Sequence, residues 1–104
     1  MKNKKLVYVC SKYRGDVELN THFALGYCKG LYKSGCIPIA PHLYFTRFLD
    51  DNDPKERIDG LEMGLHLLKL CDELWVFDKD DISEGMQTEI DFAKKNNIPI
   101  IYFS

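Results

Sequence analysis

The chain predicts one α/β domain, a flavodoxin-like three-layer sandwich built on a four-stranded parallel sheet in the order 2-1-3-4. Three observations predict it. Short apolar runs of strand length alternate with longer segments of helical periodicity, which implies right-handed crossovers and a parallel sheet. The first run, Leu6 to Cys10, is apolar throughout, as suits a strand covered on both faces. Prolines interrupt the second and fourth runs, at Pro38 and Pro99. Proline cannot donate to a ladder, so those strands go to the edges and the first and third to the centre.

The elements follow in order. After the first strand, Asp16 to Ser34 reads as a helix, with Ala24, Leu25, Cys28, Leu31 and Tyr32 at helical spacing and Gly35 placed to end it. Cys36 to Ala40 is the second strand. Asp53-Pro54-Lys55-Glu56 opens the second helix: Asp53 caps, Pro54 takes the first helical position and Glu56 completes a capping box. Ile58, Leu61, Leu65 and Leu68 form its apolar stripe. Glu73 to Phe77 is the third strand. Ser83 to Asn96 is the third helix, with Ser83 as N-cap and Met86, Ile90 and Ala93 facing the sheet. Ile98 to Phe103 is the fourth strand. The 104 residues fit a single domain, residues 1–104.

Composition excludes several classes. A net charge of -2 leaves no electrostatic footprint for a nucleic-acid polymer or an anionic membrane. No apolar stretch approaches the length of a membrane span, and the N-terminus, with Lys2, Lys4 and Lys5, lacks a signal-peptide apolar region. The four cysteines, Cys10, Cys28, Cys36 and Cys71, show no CxxC pairing and read as thiols inside elements of a cytoplasmic protein. His22, His42 and His66 lack the spacing of a zinc site, so no metal is expected.

In a 2-1-3-4 sheet, ligands bind at the C-terminal ends of strands one and three, where the order reverses. Two loops meet there. In the first, Ser11, Arg14 and Gly15 stand at a strand-to-helix turn that either holds an anion, through backbone amides and the arginine, or is an ordinary solvated turn. The loop is not a Walker sequence and lacks the Ser/Thr-rich loop of flavodoxins, which disfavours flavin. The second runs from Asp78 to Gly85. Asp78 is either a crevice acid or a turn acid.

Glu89 follows Gly85 by four positions. Its side chain leans toward the helix N-terminus, over a residue with no side chain to block a ligand. It is either an acid placed for the helix dipole or a nucleophile at the crevice mouth. The long segment after the second strand carries His42, either a ligand donor or a structural histidine. Its Tyr44, Phe45 and Phe48 can stack on a base, pack on the sheet edge or meet a second subunit. Arg57 either pairs with Asp53 or Asp50 or reaches a phosphate. Gly26-x-x-x-Gly30 in the first helix predicts close packing, within the domain or across a dimer.

Together, Tyr8-Val9-Cys10-Ser11-Lys12-Tyr13-Arg14-Gly15 and Ser83-x-Gly85-Met86-x-x-Glu89 resemble the nucleoside 2-deoxyribosyltransferase-like superfamily, in particular small bacterial and phage domains of that group. The first segment is also similar to the opening of the deoxynucleoside 5'-monophosphate N-glycosidases. The resemblance implies a flavodoxin-like fold and a nucleoside or nucleotide ligand. It further implies that Glu89 attacks the anomeric carbon and passes a deoxyribosyl group to water or another base. Ser83, Gly85 and Met86 would hold the sugar or 5'-phosphate, Ser11, Arg14 and Gly15 would line the other side, and Asp78 is the candidate acid for the leaving base. No cofactor is implied. The expected partners are the ligand and a second copy, as a homodimer. One departure stands out: Gly64 falls where these enzymes commonly carry an aspartate, with Glu62 and Met63 beside it.

Overall fold

The computed structural model describes residues 4–104. Its sheet has four parallel strands in the order β2-β1-β3-β4, the order that the two prolines predict. The strands are β1 (Leu6–Cys10), β2 (Ile37–Ile39), β3 (Glu73–Val76) and β4 (Ile100–Tyr102). The helices are α1 (Val17–Lys33), α2 (Pro54–Lys69) and α3 (Glu84–Lys95). Two single 3-10 turns, Pro41–Leu43 and Phe45–Arg47, follow β2.

The edge strands are shorter than the apolar runs suggest. Pro99 lies just outside β4, where its carbonyl accepts the Leu74 amide at 2.9 Å. β1 is buried on both faces, as its unbroken apolar sequence requires. Val7 and Val9 pack with Leu31 of α1 on one side. Tyr8 and Cys10 pack on the other side with Leu68 of α2 and with Met86, Ile90 and Ala93 of α3. The period of two along a strand therefore sends Tyr8 to the α2–α3 face.

Asp53 and Ser83 cap their helices as expected, and Asp16, read as the first residue of the first helix, is its cap instead. Asp16 accepts from the Leu19 amide, Asp53 from Lys55 and Ser83 from Met86. Glu56 departs from the capping box: it accepts from the Asp50 amide at 2.8 Å instead of from Asp53, so it ties the preceding loop to α2. Ile58, Leu25 and Tyr32 are exposed instead of buried. The first turns of α2 line a cavity through Arg57, Gly60, Leu61 and Gly64, which turns Ile58 away. In α1 the face that meets the sheet centres on Ala24 and Leu31, which leaves Leu25 and Tyr32 outside.

A Cβ added at Gly26 or Gly30 meets nothing within 4 Å; these glycines serve no close packing inside the domain. Of the basic start, Lys2 lies outside the described residues, while Lys5 pairs with Glu73 at 2.6 Å. All four cysteines are free thiols, two of them buried and two half-buried. Among the described residues no helix is long and apolar enough to cross a membrane.

Candidate functional site

A cavity of about 450 Å³ opens at the C-terminal ends of β1 and β3, within the usual range for small-molecule sites. Four pieces of chain enclose it. The β1–α1 loop brings Ser11, Tyr13 and Arg14; the 3-10 segment brings His42, Phe45 and Thr46; α2 brings Arg57 and Gly64; α3 brings Ser83, Gly85 and Glu89. Seven of the nine site residues nominated from sequence meet there, with Met86 in the wall as the buried end of the group. Gly85 leaves open space beside it, as expected.

Glu89 sits deep in this cavity. Its Oε2 accepts a hydrogen bond from Tyr8 Oη at 2.5 Å. Burial pushes the Glu89 carboxyl up to about 7, and the Tyr8 hydroxyl and the Cys10 thiol pull it back down. Burial dominates because few dipoles replace the water taken from the carboxylate. Burial and the adjacent carboxylate in turn push the Tyr8 phenol well up, so it stays a donor. The Cys10 thiol is pushed up by the same two causes and points at the Met86 carbonyl, 3.8 Å away. It is an inert core thiol.

The rim is polar. Arg14 Nε lies 3.1 Å from Asp51 Oδ2, which links the β1–α1 loop to the loop before α2 across the cavity. Arg57 lines the cavity and makes no ion pair with Asp50, Asp53 or any other described residue. Burial pushes the His42 imidazole down to about 4, so it is neutral near pH 7. His42 Nε2 lies 3.3 Å from Ser11 Oγ, and the Tyr13 ring meets the imidazole edge-on.

Two nominated residues are not brought in. Gly15 lies outside the lining; with φ +98° it makes the turn that starts α1. Asp78 also lies outside. It is exposed with φ 63°, and its charge is felt by Tyr27 of α1, on the opposite face of the sheet from Glu89. The left-handed kink that ends β3 turns the acid away from the crevice.

A family model described as a domain of unknown function, DUF7768, matches residues 5–103. The chain belongs to that family. A comparison with curated proteins finds no match. Among solved structures, the DUF7768 chain is similar to a 2-deoxyribosyltransferase from Bacillus psychrosaccharolyticus, described as a biocatalyst for nucleoside synthesis. The TM-score is 0.73 at 18% identity, over 95% of this chain and 72% of that one. It is also similar to a 2-deoxyribosyltransferase from Leishmania mexicana, with a TM-score of 0.66 at 12% identity, over 96% of this chain and 64% of that one. The DUF7768 chain therefore spans about two thirds of the length of these relatives and has the nucleoside 2-deoxyribosyltransferase-like fold.

Sequence reading missed three features of the DUF7768 cavity. Tyr8 looked like one apolar residue in a strand, although its position two before Cys10 shows which face it serves. Asp51 carried no signal, because its partner Arg14 is distant in sequence. Gly64 registered only as the absence of an acid.

Proposed function

We propose that this cavity cleaves or transfers at the N-glycosidic bond of a deoxynucleoside or deoxynucleotide, with Glu89 as nucleophile. The observation that carries the reading is the Glu89 carboxylate held deep in the cavity by the Tyr8 hydroxyl. A carboxylate so placed can split one hard displacement into two easier ones. In the first, an Oε atom bonds to the anomeric carbon as the carbon–nitrogen bond breaks. The electron pair leaves with the base, which takes a proton from water at the cavity mouth. In the second, water or another base attacks the same carbon and frees Glu89. The negative carboxylate also stabilises the oxocarbenium-like transition state, as in retaining glycosidases.

The other residues bind and orient. Ser11, paired with neutral His42, offers a hydroxyl on the side of the ligand away from α3. Ser83 and the α3 amide at Gly85 face the sugar or a 5'-phosphate, with the Met86 side chain in the wall behind them, where a helix N-terminus favours an anion. Arg14 is within reach of the ligand once released from Asp51, and Gly15 shapes its loop. The chemistry calls for no cofactor. Assembly as a homodimer belongs to the same proposal, supported by exposed Leu19 and Phe23 beside bare Gly26 and Gly30 on one side of α1. So does cytoplasmic residence, supported by the four unbridged thiols.

The test is base release from a panel of nucleosides and nucleoside monophosphates by the parent and by Glu89→Ala. Base freed by the parent alone is the expected result; equal release by both would overturn Glu89 as nucleophile. A second reading, a nucleotide-binding or sensing domain without turnover, is favoured by one observation: Asp78, nominated to protonate the leaving base, lies outside the cavity lining. Ligand-dependent thermal stabilisation with no base release would decide for it.

A further inference from the structure

Gly64 is buried in the interior of α2, a position where glycine is the poorest helix former short of proline. A packing reason is therefore expected. A Cβ built on Gly64 stands 3.0 Å from Tyr8 Oη, with Pro41 Cβ next at 3.9 Å. The Tyr8 ring is 1% exposed and packed among core side chains, so it can give way only toward the cavity that it lines. Its hydroxyl is already committed to Glu89. The other two glycines of the cavity are different. A Cβ on Gly60 meets only the flexible end of Leu49 at 3.4 Å, and one on Gly85 meets nothing.

We propose that Gly64 is a positioning residue: its missing side chain lets the Tyr8 phenol pass against α2 and holds the hydroxyl on the Glu89 carboxylate. Any larger residue at this position, the aspartate that the sequence resemblance leads one to expect included, then requires the Tyr8 hydroxyl to shift from where it stands here. In this chain the polar group beside the carboxylate comes from β1. The proposal stands on packing and one hydrogen bond, so it holds or fails independently of whether Glu89 proves to be a nucleophile.

Four proteins test it: the parent, Gly64→Ala, Tyr8→Phe and the double variant. The Glu89 carboxyl is titrated by carbon NMR and each protein is melted. Loss of the Tyr8 donor disfavours the ionised carboxylate, so Gly64→Ala should raise the Glu89 titration midpoint by about half a unit or more, in the same direction as Tyr8→Phe. The double variant should titrate like Tyr8→Phe alone. Gly64→Ala should lower the melting temperature in the parent and leave it equal or higher in the Tyr8→Phe background, where no hydroxyl meets the new methyl. Recovery of folding by the double variant, should Gly64→Ala alone not fold, would also support the proposal. An unchanged Glu89 titration in Gly64→Ala, an equal loss of stability in both backgrounds, or failure of both Ala variants to fold would overturn it.

Discussion

The Tyr8 hydroxyl donates to Glu89 Oε2 across 2.5 Å and so ties the middle of β1 to the second turn of α3 deep in the cavity. A donor aimed at a carboxylate favours its charged form, and a hydrogen bond to a charged group is stronger than one between neutral groups. Burial works the other way and wins, which leaves the carboxyl at about 7.

Tyr8→Phe should therefore raise the Glu89 pKa by about one unit. If Glu89 is the nucleophile, kcat/KM for base release should rise with pH along an acid limb near 7 in the parent. In Tyr8→Phe that limb should move up by the same amount, because kcat/KM reports the free enzyme. Activity near pH 6 should then fall about ten-fold and the loss should shrink above pH 9. A uniform loss at every pH would show that Tyr8 acts on something other than this ionisation.

A buried carboxyl with a raised pKa costs stability wherever it is ionised. In the unfolded chain Glu89 titrates near its ordinary value of 4.5, and in the folded protein at about 7. Below pH 4 both states are protonated and nothing is lost. As pH rises from there through 7, the unfolded state releases its proton first and stability falls, then levels off. Glu89→Gln keeps an acceptor for Tyr8 without the charge. It should melt together with the parent at pH 4 and several degrees above it at pH 8, a difference on the order of 1–3 kcal/mol. Melting curves across that range check the sign; a Gln variant less stable at pH 8 would mean that the ionised carboxylate is well solvated.

Ser83 serves both the helix and the proposed site, and two substitutions separate the roles. Its hydroxyl accepts from the Met86 amide at 3.3 Å, and loss of such a cap costs about 1 kcal/mol. Ser83→Ala should lower the melting temperature by several degrees. Ser83→Asp keeps a capping oxygen and should restore it, yet it places a carboxylate where an anionic ligand is proposed to sit. Thermal-shift titrations should then show weaker binding of nucleoside monophosphates than in the parent, with neutral nucleosides less affected.

Most of the fold was legible because its signals are local. Asp53 and Ser83 cap the helices they precede, and Pro38 and Pro99 mark the sheet edges. The period of two in β1 follows from the strand itself. The face of α3 was legible for the same reason, since Met86, Ile90 and Glu89 keep a fixed relation along one helix. The cavity was only partly legible, because its contacts join distant segments. Arg14 meets Asp51 across the mouth, and Tyr8 reaches between Gly64 and Glu89. No spacing rule predicts either. Glu56 shows the limit of local rules: it stands at the capping-box position, yet no box forms and its partner is the Asp50 amide.

A single dihedral angle holds Asp78 outside the cavity lining. Continued extended backbone past β3 would carry its carboxylate over the crevice. At φ 63° the chain turns instead: the Asp78 carbonyl accepts the Asp81 amide at 3.0 Å, and the side chain is exposed toward Tyr27. Under the proposed chemistry, an acid so placed does not reach a base leaving from the Glu89 side. Asp78→Asn should accordingly keep base release within about two-fold of the parent, since asparagine also tolerates the left-handed conformation. Asp78→Ala should lower stability by about 1 kcal/mol through backbone strain, again without a specific loss of turnover. Steady-state rates and melting temperatures measured on the same preparations separate the two effects. A hundred-fold fall in turnover for Asp78→Asn at unchanged stability would return Asp78 to the site, and would require the β3–α3 loop to close over the cavity when ligand binds.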